Sequence, residues 1–405
     1  METTKGNLVS QTFLDFRQSN LSDKVFTLLL VFVPIAIICD LLKLPPLIVF
    51  AVAALAVVPL AKTMSDSTET LAEKAGPAVG GLLNATFGNA VELIIAVLAL
   101  LQGLGEVVKA SITGSILSNL LLVMGLAFFL GGFGRKFQKF NRVGASASAS
   151  QLFLAAIALV IPAVFTSTIG SNQSATTRND LLENLSLLVA GILIVCYIGQ
   201  LIFFLITHSH LSVEAAESEG SAEQSTAGPG NALTAPRRQP FEIHAGNAEQ
   251  TPKSSTRRAL ITLLVATVVV GYVSEILVGN IEPIIKQLGW TELFVGVVLL
   301  AIIGNAAEYV AAISAALKNQ MNLSVNIAIG SSLQMIFFVT PVLVFVGLFT
   351  GHPLSLRFEE FELISIILAV LIVGRVADDG ESNWLEGMQL MGAYLIIAVA
   401  FFLHP

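Results

Sequence analysis

Long, unbroken apolar stretches limit the fold of this chain more than any other feature. A bilayer core is about 30 Å thick, so a spanning helix needs roughly 20 mostly apolar residues. Eleven stretches approach this length: 25–42, 44–62, 78–101, 109–130, 148–166, 184–207, 259–281, 291–316, 322–349, 360–376 and 386–404. Because their apolar residues are continuous rather than alternating, they predict helices and not barrel strands. We expect an all-α integral membrane protein with about 11 transmembrane helices.

The charge content excludes several other classes of protein. Only 12% of residues are charged, whereas soluble domains carry about 25%, so the surroundings of this chain are predicted to be a lipid bilayer. The net charge of −7 comes without a basic stripe, which argues against nucleic acid as a partner. Cys39 and Cys196 lie in apolar runs, so no disulfide framework is expected. Nothing in the sequence specifies an oligomeric state.

The basic residues predict the orientation in the membrane. Most of the 21 lie on segments that share a side with the N-terminus, and cytoplasmic loops are enriched in Lys and Arg. The short loop with Arg135, Lys136, Lys139 and Arg142 weighs most. We therefore expect a cytoplasmic N-terminus and a C-terminus on the opposite side. Residues 1–24 lack the apolar core of a signal peptide. A plasma membrane and an internal membrane, vacuolar or thylakoid-type, both fit.

Residues 208–258 differ from the rest of the chain. They contain four prolines, many Ser, Ala and Gly residues, and almost no apolar periodicity, which predicts a solvated cytoplasmic linker. A regulatory role in cation sensing is the alternative for its acidic cluster, which consists of Glu214, Glu217, Glu219 and Glu223.

A short pattern recurs on both sides of this linker. Gly88-Asn-Ala-Val-Glu92 reappears 216 positions later as Gly304-Asn-Ala-Ala-Glu308, and Gly114-Ser115 matches Gly330-Ser331 at the same offset. The matches predict a duplication in which residues 44–207 and 259–405 each form a five-helix repeat, while 1–43 supply an N-terminal tail and an extra first span. Because five is odd, the second repeat enters the membrane in the opposite sense, as in many secondary transporters.

Two glutamates indicate what the repeats do. Glu92 and Glu308 fall inside predicted spans, where a charge costs about 2.5–3.5 kcal/mol even on the lenient insertion scale. Every Lys and Arg falls in a loop, a terminus or a span end, so the two carboxylates are left to bind protons or a metal cation. Two like charges cannot both be ionised at low cost in one site. Competition between protons and a cation is therefore expected.

The residues around the glutamates predict the kind of cation. Asn89 and Asn305 are expected to bind it with the two carboxylates, and Gly88 and Gly304 to break the helices or to pack them closely. Supporting polar side chains are predicted at Asn84, Ser115, Ser118, Asn119, Ser331, Ser332 and Gln334. These hard oxygen donors suit Ca²⁺, Mn²⁺ or Mg²⁺. Neither cysteine nor any of the five histidines is near, so zinc and copper are not expected. No cofactor is predicted, because the cation is the cargo.

Asp66, Glu69 and Glu73 follow the second stretch on its cytoplasmic side. Their spacing, with Asp66 three residues before Glu69, is typical of helix capping. A cation-attracting entrance is the alternative.

At these motifs the chain resembles the calcium/proton exchanger family, a branch of the cation/calcium antiporter superfamily. The resemblance rests on Asn84-Ala-Thr-Phe-Gly-Asn-Ala-Val-Glu92, Gly304–Glu308, Gly114-Ser-Ile-Leu-Ser-Asn119, Gly330-Ser-Ser-Leu-Gln334 and the lead-in Met64–Glu73. It implies that Glu92 and Glu308 coordinate the exchanged cation and carry protons, that moving helices flank them, and that an acidic segment joins the halves. One departure is Tyr309, where members of the family often have histidine.

Other functions fit the sequence less well. A membrane enzyme would need a reactive pair or a His motif at membrane depth, and none is present. A cation channel generally uses rings contributed by several chains. The sodium/calcium exchanger branch has a Pro beside its glutamate, which this chain lacks. We therefore predict an antiporter that exports cytosolic Ca²⁺ in exchange for H⁺ by alternating access. Sodium coupling, Mn²⁺ transport and a channel remain alternatives.

Overall fold

The computed structural model describes residues 21–168, 175–203 and 256–404, and these are mostly helical. The helices before the predicted linker are α1 (Leu21–Leu29), α2 (Phe32–Leu41), α3 (Pro46–Ala75), α4 (Pro77–Phe87), α5 (Ala90–Leu101), α6 (Gly105–Gly132), α7 (Arg142–Thr168) and α8 (Ala175–Ile202). Those after it are α9 (Thr256–Gly279), α10 (Ile281–Leu288), α11 (Glu292–Gly304), α12 (Ala306–Leu317), α13 (Met321–Thr350), α14 (Glu360–Ala377) and α15 (Trp384–Leu403).

Each predicted apolar stretch falls on helix within the described residues. Eight helices there are long and apolar enough to cross a membrane, and α11 with α12 would form a ninth as a bent pair. The predicted helical membrane fold is confirmed, while the count of 11 spans stays a prediction. A two-residue antiparallel pairing of β1 (Gln138–Lys139) with β2 (Glu381–Ser382) is a small departure from an all-α fold.

Helix α3 corrects one interpretation of the sequence. It begins at Pro46, where proline suits the first helical position, and continues to Ala75, well past residue 62. Gly76, at φ 83°, then separates it from α4. Asp66, Glu69 and Glu73 lie within α3 and cap no helix, and Asp66 pairs with Lys62 at 2.8 Å. The capping interpretation is therefore wrong.

The two halves of the chain pack against each other around α6 and α13. Helix α3 packs along α9, α7 along α14, and α6 against α11, α12, α13 and α15. Both α6 and α13 contain a π-helical turn, at Ser118–Val123 and Met335–Val339. Such turns are frequent at functional sites. The insertion of the halves in opposite senses, and the domain limits at 43, 207 and 258, stay predictions.

Much of the predicted linker, including Glu214, Glu217, Glu219 and Glu223, lies outside the described residues.

On the predicted cytoplasmic side, β1 contacts the end of α12 through hydrogen bonds. The Gln138 amide donates to the carbonyl of Ala316 at 3.1 Å and to Asn319 Oδ1 at 3.0 Å. These contacts join the loops after α6 and α12.

Candidate cation-binding site

Two helix breaks place the glutamates in the middle of the protein. The first lies between α4 and α5 at Asn89 (φ −103°, ψ 26°), and the second between α11 and α12 at Asn305 (φ −88°, ψ 7°), where the helices bend by 61°. Glu92 and Glu308 occupy the first turns of α5 and α12. Free backbone N–H groups and carbonyls at such breaks can bind ions.

The breaks fall on the asparagines and not on the predicted glycines. Gly88 keeps helical angles (φ −55°, ψ −47°), and Gly304 is the last residue of α11. The glycines instead supply space. A Cβ atom on Gly304 would lie 3.0 Å from Cγ of Glu92, and one on Gly88 would lie 3.6 Å from Oε1 of Gln334. Each glycine therefore admits a side chain of the opposite half, and this close approach brings the two motifs together.

A hydrogen-bond network holds the second motif. The Asn305 amide donates to Ser115 Oγ at 3.0 Å and to the carbonyl of Ala301 at 2.8 Å. Asn119 Nδ2 donates to Asn305 Oδ1 at 3.1 Å and to Ser331 Oγ at 2.9 Å. The Ser331 hydroxyl in turn donates to Glu308. Side chains of α6, α13 and the α11–α12 break are thus linked around one carboxylate.

The first motif lacks such a network. Among the described residues, both amide atoms of Asn89, Oε2 of Glu92 and Oδ1 of Asn119 are buried without a hydrogen-bond partner. Buried polar atoms in native proteins nearly always have a hydrogen-bond partner. These atoms are therefore candidates for binding a ligand. Glu92 is only 8% exposed.

These atoms fit a hard divalent cation. Ca²⁺ takes six to eight oxygen ligands from carboxylates, amides, carbonyls and water. Within the described residues no group of three His, Cys, Asp or Glu side chains converges to hold a metal. Two carboxylates would therefore need amide oxygens, backbone carbonyls or water to complete the shell.

The remaining predicted residues divide into two groups. Ser118 donates to the carbonyl of Ser115 at 3.3 Å, beside the network. Ser332 donates to the carbonyl of Ala328 in its own helix at 3.0 Å, and Asn84 is exposed on α4. Neither side chain is joined to the network. Tyr309, beside Glu308, is buried, and its hydroxyl has no hydrogen-bond partner among the described residues.

The two sides of the site are packed differently. On the predicted outer side, α6 and α11 approach closely: a Cβ on Gly114 would lie 2.5 Å from Cα of Val297, and one on Gly296 would lie 2.8 Å from the carbonyl oxygen of Val107. On the other side, a Cβ on Gly330 would meet nothing within 4 Å. Gly296 lies outside the predicted motifs, and its signal in the sequence is Gly80, which stands at the same offset of 216.

The chain is similar to known proteins over most of its length. The profile of the family described as sodium/calcium exchanger protein matches residues 45–206 and 258–403. A Ca(2+)/H(+) antiporter of Synechocystis is 45% identical over 383 residues, which cover 94% of this chain and 98% of that protein. The Ca(2+)/H(+) antiporter ChaA of Bacillus subtilis is 42% identical over 379 residues, which cover 93% and 98%. The solved structure of native YfkE has a TM-score of 0.74 at 38% identity and covers 94% of this chain and 100% of that one.

Proposed function

The chain belongs to the sodium/calcium exchanger protein family, and we propose that it is a secondary antiporter that moves Ca²⁺ out of the cytoplasm in exchange for H⁺. Relatives that are 42–45% identical over more than nine-tenths of the chain carry the name Ca(2+)/H(+) antiporter. The single observation that carries the mechanism is the pair of glutamates at the helix breaks, where Glu92 and its neighbours present buried oxygens without a partner among the described residues.

The site gives a physical reason for exchange. With Ca²⁺ bound, both carboxylates are ionised and their charges balance the ion. Without it, two ionised carboxylates in a buried site repel each other, so proton uptake replaces the cation. Cation and protons then occupy the same atoms in turn. Alternating exposure of that site to the two sides of the membrane converts the competition into coupled transport.

We also propose a direction of transport and a location in the cell. With the N-terminus in the cytoplasm, α4 begins on the cytoplasmic side and leads to the site. The multi-pass chain would lie in a plasma membrane or an internal membrane, with its C-terminus on the far side and with no resident cofactor. Mn²⁺ is the alternative cargo, since it accepts the same oxygen ligands.

A flux assay tests the coupling ion. The protein is reconstituted in liposomes with an imposed pH gradient and no sodium, and uptake of calcium-45 is followed. We expect uptake that depends on the pH gradient and ceases when an ionophore collapses it. If uptake is absent in this sodium-free assay and appears when a sodium gradient replaces the pH gradient, protons are not the coupling ion. Competition by Mn²⁺ in the same assay measures the selectivity.

A further inference from the structure

The outer half of the protein is closed by a contact between two glycine-containing helices. Gly114 of α6 lies against Val297 of α11, and Gly296 of α11 lies against Ala110 and Val107 of α6. A side chain at either glycine would collide with the opposite helix. Val295, Gly296 and Val297 are all buried as a result. Along α11, this contact lies between the start of the helix and the break at Asn305.

The equivalent contact on the other side is not made. At the offset of 216, Gly114 corresponds to Gly330, Val297 to Gly81 and Gly296 to Gly80. A Cβ on Gly330 would meet nothing within 4 Å, and Gly80 approaches Ala72 of α3 instead of α13. Helix α4 therefore packs on α3.

The difference in packing between α4 and α11 is seen in the exposure of two equivalent valines. Val79 of α4 corresponds to Val295 of α11 at the same offset. Val79 exposes 54% of its surface, whereas Val295 exposes 0%. The same side chain is thus covered in one half and uncovered in the other.

No neighbour occupies the space beside Gly330 where a side chain would stand in this conformation. A glycine inside a helix is less favourable than an alanine, and close approach by another backbone is a usual reason for its presence. Its counterpart Gly114 has such a neighbour. From this asymmetry we propose that Gly330 is the surface onto which α4 closes in the opposite conformation, through Gly81, while the contact of Gly114 with α11 opens. The proposal rests on the alternating exchange proposed above.

The first test places a large side chain in the open position. The Cβ atom of Gly330→Leu meets no atom within 4 Å in the present conformation. The variant should therefore fold, retain its stabilisation by Ca²⁺ and lose at least about 90% of coupled flux, since closure is blocked. Gly191→Leu is the matched control, because Gly191 of α8 is a helical glycine with nothing within 4 Å. It should keep flux within about twofold of the parent, since substitutions at positions without close neighbours change stability little.

A second test traps the contact itself. Gly81→Cys and Gly330→Cys are combined in a background where Cys39 and Cys196 are replaced by alanine. Under turnover with Ca²⁺ and a pH gradient, an oxidant should form a disulfide that stops flux, and a reductant should restore it, since the two Cα atoms must approach within about 7 Å. This variant keeps the test decisive if leucine at position 330 prevents folding.

The outcomes separate this proposal from the proposed function. If the parent protein shows no proton-coupled Ca²⁺ flux, the exchange function fails, whatever the variants do. If the parent is active and Gly330→Leu is equally active, α4 does not close onto Gly330. An active double-cysteine variant that forms no disulfide under turnover would likewise overturn the closing contact. If Gly330→Leu loses flux and Gly191→Leu remains active, the closing contact between α4 and Gly330 is supported.

Discussion

Replacing Asn119 with alanine should destabilise the protein, whereas replacing Asn89 should weaken cation binding alone. Asn119 Nδ2 makes two hydrogen bonds between helices, at 3.1 Å to Asn305 and 2.9 Å to Ser331. Asn89 makes none with its side chain among the described residues. Both residues are buried at 1% exposure, so burial does not distinguish them and the hydrogen bonds do.

The magnitudes follow from these contacts. Interhelical hydrogen bonds in membrane proteins contribute about 0.6 kcal/mol on average and up to about 1.7 kcal/mol, so Asn119→Ala should lower the free energy of unfolding by about 1–3 kcal/mol. Asn89→Ala should change it by less than about 0.5 kcal/mol without Ca²⁺, because no hydrogen bond is lost. Removing one of six to eight oxygen ligands should raise the Kd for Ca²⁺ about tenfold, which reduces stabilisation by saturating Ca²⁺ by about 1.4 kcal/mol.

Thermal unfolding of the purified protein, with and without Ca²⁺, measures both effects. Asn179→Ala serves as the control, since Asn179 is exposed near the start of α8. It should match the parent in both conditions. A role of Asn89 as a ligand is refuted if Asn89→Ala is as unstable as Asn119→Ala without Ca²⁺ and yet gains the full stabilisation when Ca²⁺ is added. That result would make Asn89 a structural residue and not a ligand.

Three further outcomes are expected. Glu92→Gln and Glu308→Gln should each abolish calcium-45 flux in liposomes while the protein still inserts in the membrane, because an amide can neither balance the cation nor exchange its proton. The apparent affinity for Ca²⁺, measured by titration at several pH values, should fall as pH falls, since protonated carboxyl groups do not bind metal; a flat profile would contradict proton competition. Lys139→Ala should change the unfolding temperature hardly at all, because its pair with Glu381 is exposed and 3.8 Å long and such pairs contribute about 0–1 kcal/mol.

The helices could be predicted from the sequence because lipid leaves the backbone few alternatives. Their ends could not, and α3 shows why. Hydropathy falls after residue 62, but Thr63, Ser67 and Thr68 donate their hydroxyls to carbonyls one turn earlier in the same helix. The hydroxyl groups of these side chains find hydrogen-bond acceptors within the helix. Polar residues therefore do not end α3, which continues until Gly76. A local fall in hydropathy marks the edge of the bilayer and not the end of a helix.

The two motifs differ in their hydrogen-bond partners, and the sequence repeat does not predict this difference. The duplication treats Asn89 and Asn305 as the same residue. Asn305 is held by Ser115 and Asn119, yet the Asn89 side chain has no such partner among the described residues. Two differences account for this. The offset of 216 takes Asn119 to Met335, whose side chain has no N–H to donate, and Ser331, the counterpart of Ser115, hydrogen-bonds with Glu308 and Asn119 instead. The second half therefore offers Asn89 no equivalent donor. A cation site built from two identical halves would satisfy its own asparagines, whereas these differences leave one amide oxygen beside Glu92 available to the ion.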